Sequence, residues 1–263
     1  MRAGIIGVGN LGEAFARLIN RNLNSRYSLV LSDIRDLEIF KDFEKNDNIG
    51  VIENSDIIFL CAKPTDIPGI LDQIYRYSLY VDDKQKLIVS CAAGVSLESL
   101  ESALNFRYPI IRCMANLPIS FGMGAITYLP NQKVTQEQID KFLTILKGPY
   151  IKEVSDDSLI DLTTITIGSM PAFTSFIANE MIKFGYQNGL SYQDSKDLYI
   201  ATVEGTMQLL KEEDPEEIVK SVSSPNGVTG RGISVLVDRK LDSVLEDALS
   251  KSLERIPLLT KKD

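Results

Sequence analysis

Residues 2–12 read Arg2-Ala3-Gly4-Ile5-Ile6-Gly7-Val8-Gly9-Asn10-Leu11-Gly12, and this stretch constrains the chain more than any other. An apolar run leads into a glycine turn, and Leu11, Ala14, Phe15, Leu18 and Ile19 follow at helical spacing. Gly7, Gly9 and Gly12 have the G-x-G-x-x-G spacing. Between a strand and a helix, the first glycine permits the sharp turn. The second lets backbone approach a pyrophosphate, and the third lets the helix pack on the strand. The helix N-terminus adds unpaired N–H groups and the positive end of a dipole. Asp33 closes the next apolar run, where an acidic side chain can accept hydrogen bonds from a dinucleotide's ribose. A dinucleotide site is therefore expected here.

The rest of the first half repeats the pattern. Strands are expected at 3–6, 29–32, 57–62, 87–91, 110–114, 124–129 and 151–154. Helices are expected at 11–22, 67–77, 97–104 and 136–147, the last opened by a Thr135–Gln138 capping box. Continuous apolar strands alternating with helices imply an α/β fold with a mostly parallel sheet covered on both faces. After Val154 the strand pattern stops and helix signals run to the end: a helix entry at Ser155-Asp156-Asp157-Ser158, a cap at Ser191, Asp214-Pro215-Glu216-Glu217, and a cap at Asp242. We place the boundary between 154 and 155, giving domains 1–154 and 155–263. The second is small for its apolar content, so part of its surface is expected to be buried against another subunit.

Composition removes whole classes of function. The chain has no histidine, which excludes histidine triads and a histidine base, and no metal site is expected. A net charge of -8 argues against nucleic-acid binding. No apolar run approaches a membrane span and no secretory signal is evident, so a soluble cytoplasmic protein is the expectation. Cys61, Cys91 and Cys113 each lie in or beside an apolar run, as buried free thiols do.

In such sheets ligands bind beyond the carboxyl ends of the strands. Cys61-Ala62-Lys63-Pro64 ends one strand, where Lys63 is either a cofactor contact, as its place at the strand end favours, or a solvated loop lysine. Cys91-Ala92-Ala93-Gly94 ends the next; its small residues admit a flat ring or allow close helix packing. Asn116, in Met114-Ala115-Asn116-Leu117-Pro118, offers a donor and an acceptor or serves as a turn residue. In the helical half, Gly168-Ser169-Met170-Pro171 should break or kink a helix. The 223–232 stretch, Ser223-Ser224-Pro225-Asn226-Gly227-Val228-Thr229-Gly230-Arg231-Gly232, is either a carboxylate-binding nest at a helix N-terminus or a plain loop.

These segments, in this order, resemble the pyrroline-5-carboxylate reductase family. The glycine turn, Ala62-Lys63-Pro64, Ser90-Cys91-Ala92-Ala93-Gly94-Val95 and Ile111-Arg112-Cys113-Met114-x-Asn116-x-Pro118 are similar to its cofactor domain. Gly168-Ser169-x-Pro171-Ala172 and Val222-x-Ser224-Pro225-x-Gly227-x-Thr229 are similar to its helical dimerisation domain. The resemblance implies a Rossmann-type, doubly wound sheet followed by an all-helical dimerisation domain. It implies homodimers, often in larger rings, that reduce the cyclic imine 1-pyrroline-5-carboxylate to L-proline with hydride from NAD(P)H, the last step of proline biosynthesis. On the family pattern Ile6, Gly7, Val8, Gly9, Asn10 and Leu11, with Cys61, Ala62, Lys63, Pro64, Ala92, Ala93 and Gly94, line the cofactor; Gly12 of the turn and Asn116 are added as cofactor-binding candidates from their own positions. Val222, Asn226, Gly227 and Val228 belong to a loop, reaching in from the partner subunit, whose N–H groups hold the substrate carboxylate. Ser224 and Thr229 supply hydroxyls at the reacting end, with Thr229 at the ring nitrogen. The family's Ser-Pro-Gly-Gly is Ser-Pro-Asn-Gly here, and its Gly-Ser-Gly-Pro is Gly-Ser-Met-Pro.

At the adenosine end, Asp33 favours NADH by repelling a 2′-phosphate, whereas Arg35 could pair with one; the residues lean slightly to NADH. One rival is a β-hydroxyacid dehydrogenase, whose lysine four residues before an asparagine is replaced here by Ser175 before Asn179. Another is a non-catalytic sensor of the dinucleotide or an imino acid.

Overall fold

The computed structural model describes residues 1–23, 28–35, 41, 43–81, 85–224 and 227–260. Two compact units divide it: Met1–Pro171 together with the chain from Ser252, and Ala172–Lys251. The expected boundary at 154/155 marks the end of the strands, but the first unit continues into the opening turn of a long helix and takes back the C-terminus.

The first unit holds one sheet of β1 (Arg2–Ile6), β2 (Ser28–Ser32), β3 (Glu44–Lys45), β4 (Ile57–Leu60), β5 (Leu87–Ser90), β6 (Ile110–Ala115), β7 (Ala125–Pro130) and β8 (Tyr150–Glu153). Their order is β3-β2-β1-β4-β5-β6-β7-β8, and every pair is parallel except β6 with β7. The central strands are buried on both faces, as their continuous apolar runs require. On one face α1 (Asn10–Asn22) and α5 (Gln136–Ile145) pack Phe15, Leu18, Ile19 and Phe142 onto Ile5, Phe59 and Val89. On the other, α2 (Asn48–Asn54), α3 (Ile67–Tyr77) and α4 (Leu97–Ala103) cover Ile6, Ile58, Leu60 and Ile88. The capping box of α5 forms as its sequence requires. The short β3 and α2, absent from the sequence expectation, follow Asp33 and precede β4; α2 is capped by Asp47, whose carboxylate accepts from the Gly50 N–H at 2.7 Å.

Past β8, α6 (Asp157–Thr163) is capped by Asp156 and runs into a π-helical turn, Thr164–Gly168. The Gly168-Ser169-Met170-Pro171 irregularity ends that turn, and α7 (Met170–Gln187) follows. The second unit contains most of α7, then α8 (Tyr192–Leu209), α9 (Pro215–Val222), α10 (Val228–Asp238) and the body of α11 (Leu241–Arg255). Ser191 caps α8 as expected. Asp242 does not cap α11; it lies inside the first turn, where its charge still favours the helix dipole.

Candidate functional site

The register lines up the carboxyl ends of β1, β2, β4 and β5 with the middle of β6. Ile6 pairs with Ser32 on one side and Leu60 on the other, Leu60 with Ser90, and Ser90 with Arg112. The next residues therefore form a row: Asp33, Gly7, Cys61, Cys91 and Cys113. Its hydrogen bonds continue beyond the strands, from Gly7 N to Ser32 O at 2.9 Å, Cys61 N to Ile6 O at 2.8 Å and Cys91 N to Leu60 O at 3.0 Å.

The three glycines of the turn differ in what demands them. Gly7 has φ +89°, and a Cβ there would lie 2.5 Å from Ala62 N. A Cβ on Gly12 would lie 2.1 Å from Gly7 O, so α1 seats directly on the turn. Gly9 has an ordinary extended φ of -73°, and a Cβ there would meet nothing within 4 Å. The fold needs the first and third glycines, and the space over Gly9 is open. As the cap residue of α1, Gly9 also brings no side chain to the first-turn N–H groups. An open cradle over uncapped amides fits a pyrophosphate.

At the adenosine end Asp33 is already engaged. Its Oδ2 accepts from Val8 N at 2.7 Å and Arg35 Nη2 at 3.1 Å, and its Oδ1 accepts from Arg35 N and Nε, both at 2.9 Å. Burial works against the charge of Asp33, and the bonds from Arg35 and Val8 outweigh it, holding the carboxyl below its ordinary range. Asp33 in turn raises the Arg35 guanidinium. The Asp33 side chain is 6 % exposed and that of Arg35 55 %. Between them Ile34 is fully exposed, at 103 %. Ile34 was not expected from the sequence; an apolar residue straight after the strand-terminal acid was the available signal.

The other expected cofactor residues all lie at the carboxyl edge of the first unit. The side chains of Ile6, Val8 and Ala92 are buried, so only their backbone can meet a ligand. Asn10 and Lys63 are exposed, while Leu11, Cys61, Ala62, Pro64 and Ala93 are half-buried. Gly94 lies under the Ile256 carbonyl, where a Cβ would approach to 2.6 Å. Asn116 works within the fold: its Oδ1 accepts from Ala125 N at 3.1 Å, and its Nδ2 donates to Ile167 O, in the π turn, at 3.4 Å. That leaves one amide hydrogen for a ligand.

The second unit carries the 222–229 segment. Val222 ends α9, Gly227 is the cap residue of α10, and Val228 and Thr229 are exposed in its first turn. Gly227 N donates to Ser224 O at 2.9 Å, closing the loop onto the helix start. A Cβ on Gly227 would lie 2.4 Å from Ser224 Oγ, and one on Gly230 would lie 2.8 Å from Ser224 O. Asn226 lies outside the described residues. Among the described residues of this unit Ser195 alone is buried; Phe176, Met181, Phe184, Leu198 and Met207 stand exposed. So much bare apolar surface on a helical unit marks an association surface. Among the described residues no helix is long and apolar enough to cross a membrane.

Comparison with known proteins agrees with both units. The family model "Pyrroline-5-carboxylate reductase dimerisation" matches residues 157–258, and "NADP oxidoreductase coenzyme F420-dependent" matches residues 2–94. The pyrroline-5-carboxylate reductase of Corynebacterium melassecola is 30 % identical over 267 residues, covering 98 % of each chain. That of Aquifex aeolicus is 28 % identical over 97 % of this chain and 96 % of its own. The solved structure of a pyrroline-5-carboxylate reductase from Coxiella burnetii matches with a TM-score of 0.81 at 26 % identity, over 99 % of this chain and 98 % of its own. Plasmodium falciparum pyrroline carboxylate reductase with NADP bound shares the fold at a TM-score of 0.90 and 23 % identity, with the same coverage. The likeness runs end to end, through the glycine turn and the helical segment alike, and the chain belongs to the pyrroline-5-carboxylate reductase family.

Proposed function

We propose that this chain reduces 1-pyrroline-5-carboxylate to L-proline, using NAD(P)H, in the cytoplasm. The observation that carries the reading is the end-to-end likeness to the reductases. Residues 1–154 hold the dinucleotide, and residues 155–263 form the homodimer and the substrate site. A bound reduced nicotinamide supplies the hydride.

The chain's own groups bind, orient and move a proton. The open amides of Asn10, Leu11 and Gly12 take the pyrophosphate. Residues Cys61, Ala62, Lys63, Pro64, Ala93 and Gly94 border the nicotinamide half, and Asn116 holds the strand end beside them. The first-turn N–H groups of α10, in a second subunit, grip the substrate carboxylate. Ser224 and Thr229 donate or relay a proton at the ring nitrogen. A protonated cyclic imine is already electrophilic, so alignment provides most of the acceleration and a histidine-free chain suffices.

The nucleotide preference we infer is NADPH. A carboxylate offers about four acceptor positions, and Asp33 spends all of them on Val8 and Arg35. The slight lean to NADH rests on Asp33 accepting from the ribose and repelling a 2′-phosphate, and here its charge is paired with Arg35. With its charge paired, Asp33 repels a 2′-phosphate less; Arg35, whose Nε and Nη2 are held by Asp33 and Val8, can offer such a phosphate its Nη1, and bare Ile34 offers an apolar platform for adenine.

The test follows nicotinamide absorbance with pyrroline-5-carboxylate and either nucleotide, and with proline at high pH in reverse. Turnover in both directions is expected. Nucleotide binding without turnover would leave the sensor reading instead.

A further inference from the structure

A row across the sheet carries three thiols, Cys61 and Cys91 just past β4 and β5 and Cys113 inside β6, and none of the three sulfurs takes part in the proposed hydride transfer. Parallel neighbours in register point their side chains to the same face, so Cys61, Cys91 and Cys113 stand side by side under α1. The Sγ atoms of Cys91 and Cys113 are 3.3 Å apart. Neighbouring strands lie about 4.8 Å apart, within the Cα separation of about 4.4–6.8 Å that a disulfide spans. Cys91 and Cys113 are 5 % and 1 % exposed, whereas Cys61 is half-buried. Burial, then hydrogen bonding with Cys113 and Cys61, pushes the Cys91 thiol well above the usual range, so Cys91 does not react first. Cys61 has the access, and its Cβ lies 3.2 Å from where a Cβ on Gly12 would sit.

We propose that these cysteines form an oxidisable relay, in which Cys61 meets a hydroperoxide and Cys91 and Cys113 end as a disulfide. Cys61 attacks hydrogen peroxide as its thiolate; the O–O bond breaks, hydroxide leaves and takes up the thiol's proton as water, and a sulfenic acid remains. Cys91 attacks that sulfur, an S–S bond forms and a second water leaves. Cys113 then attacks Cys91, the Cys61–Cys91 bond breaks, and Cys61 returns as a thiol. In sum, the thiols of Cys91 and Cys113 lose two electrons and two protons, and one hydrogen peroxide becomes two waters. Cys91 opens the Ala92-Ala93-Gly94 turn, so closing the disulfide pulls that turn toward β6 and weakens nucleotide binding. This consequence rests on the dinucleotide reading; the disulfide does not.

The full-length protein is treated with hydrogen peroxide, alkylated, digested and mapped by mass spectrometry. A Cys91–Cys113 disulfide that dithiothreitol reverses is expected, forming at least tenfold more slowly in Cys61→Ser and Cys61→Ala. Terminal oxidation of Cys61 with Cys91 and Cys113 still alkylatable, a terminal Cys61–Cys91 disulfide, or unchanged rates in both variants would each overturn the relay. Nucleotide affinity is read on the same samples by nicotinamide fluorescence. At least fivefold weaker binding after oxidation is expected. Equal affinity removes the regulatory consequence, and no binding by the reduced protein removes the dinucleotide reading.

Discussion

The backbone amide of Val8 donates to Asp33 Oδ2 at 2.7 Å, so the glycine turn after β1 and the acidic end of β2 form one hydrogen-bonded unit. Arg35 closes it, its Nη2 donating to Val8 O at 3.1 Å as well as to Asp33. Replacing the guanidinium keeps the Val8–Asp33 bond but removes the cation that the proposed reading sets against a 2′-phosphate. We expect Arg35→Ser to raise KM for NADPH at least tenfold and to change KM for NADH less than threefold. Equal effects on the two nucleotides would remove Arg35 from selectivity. The pH dependence has a definite sign. The folded carboxyl of Asp33 titrates below its ordinary value of 3.8, so its contribution is complete above that value and is lost as pH falls through the depressed one. NADPH affinity should therefore show no titration of Asp33 between about pH 5 and 8.

The glycines of the turn separate binding from folding. Gly12→Ala drives a Cβ to 2.1 Å from Gly7 O, and backbone at both ends leaves no flexible atom to yield. We expect a loss of about 1–3 kcal/mol in urea unfolding. Gly9→Ala places its methyl in open space at an ordinary φ of -73°. Its stability should stay within about 0.5 kcal/mol of the parent, while nucleotide affinity falls at least tenfold. A Gly9→Ala protein that binds normally would place the pyrophosphate elsewhere.

The sheet was legible because its central strands are apolar on both faces and each ends in turn residues; 57–62 and 87–91 were read one or two residues too long, as strand ends usually are. The β3–α2 segment was not legible. Two strand residues and a seven-residue helix are too short to show a period. The candidate site was legible only as a set of strand ends, since placing them needs no more than strand order, and the structure sets those ends side by side. The state of Asp33 was not, because the Val8 and Arg35 bonds depend on how the turn folds back. Asn116 shows the same limit: a turn asparagine and a ligand asparagine have the same sequence, and only the contacts to Ala125 and Ile167 show its structural duty.

A buried arginine ties β6 to α6. Arg112 is 1 % exposed, and its Nη1 and Nη2 reach Asp157 Oδ1 at 2.6 Å and Asp161 Oδ1 at 2.5 Å. Asp157 Oδ2 also accepts from Leu97 N at 2.9 Å, so the fork holds the start of α4 too. Arg112→Leu leaves two facing carboxylates without their cation, each about a third exposed. We expect a loss of about 3 kcal/mol in urea unfolding, toward the low end for a broken buried pair because solvent screens those carboxylates. Arg112→Lys should recover only part of it, since an ammonium cannot reproduce the fork. A change in Arg112→Leu below about 1 kcal/mol would reduce the network to an ordinary surface pair.

The apolar side chains of the second unit predict how the chain assembles. Met181 and Phe184 are 61 % and 70 % exposed on α7, beside Phe176 and Ile177 on the same helix. Such a surface is stable in water only when another apolar surface covers it. We expect the parent chain to sediment as a dimer or a multiple of dimers at micromolar concentration. Phe184→Asp should shift it to monomer, or to aggregate, with loss of turnover. A monodisperse, active monomer of the parent chain would overturn the shared site.

The 224–229 loop offers the most direct probe of the chemistry. Thr229 is exposed in the first turn of α10, two residues past the cap, and the proposed reading sets its hydroxyl at the ring nitrogen of a substrate whose carboxylate the helix amides hold. Removing the hydroxyl leaves those amides in place, so carboxylate binding should survive while proton delivery to the ring nitrogen fails. Thr229→Ala is therefore expected to lower kcat at least tenfold, with KM for the imine changed less than threefold and nucleotide affinity intact. Thr229→Ser keeps the hydroxyl and should recover most of the rate. If Thr229→Ala turned over normally, water or Ser224 would be the donor, and Ser224→Ala would then carry the loss instead.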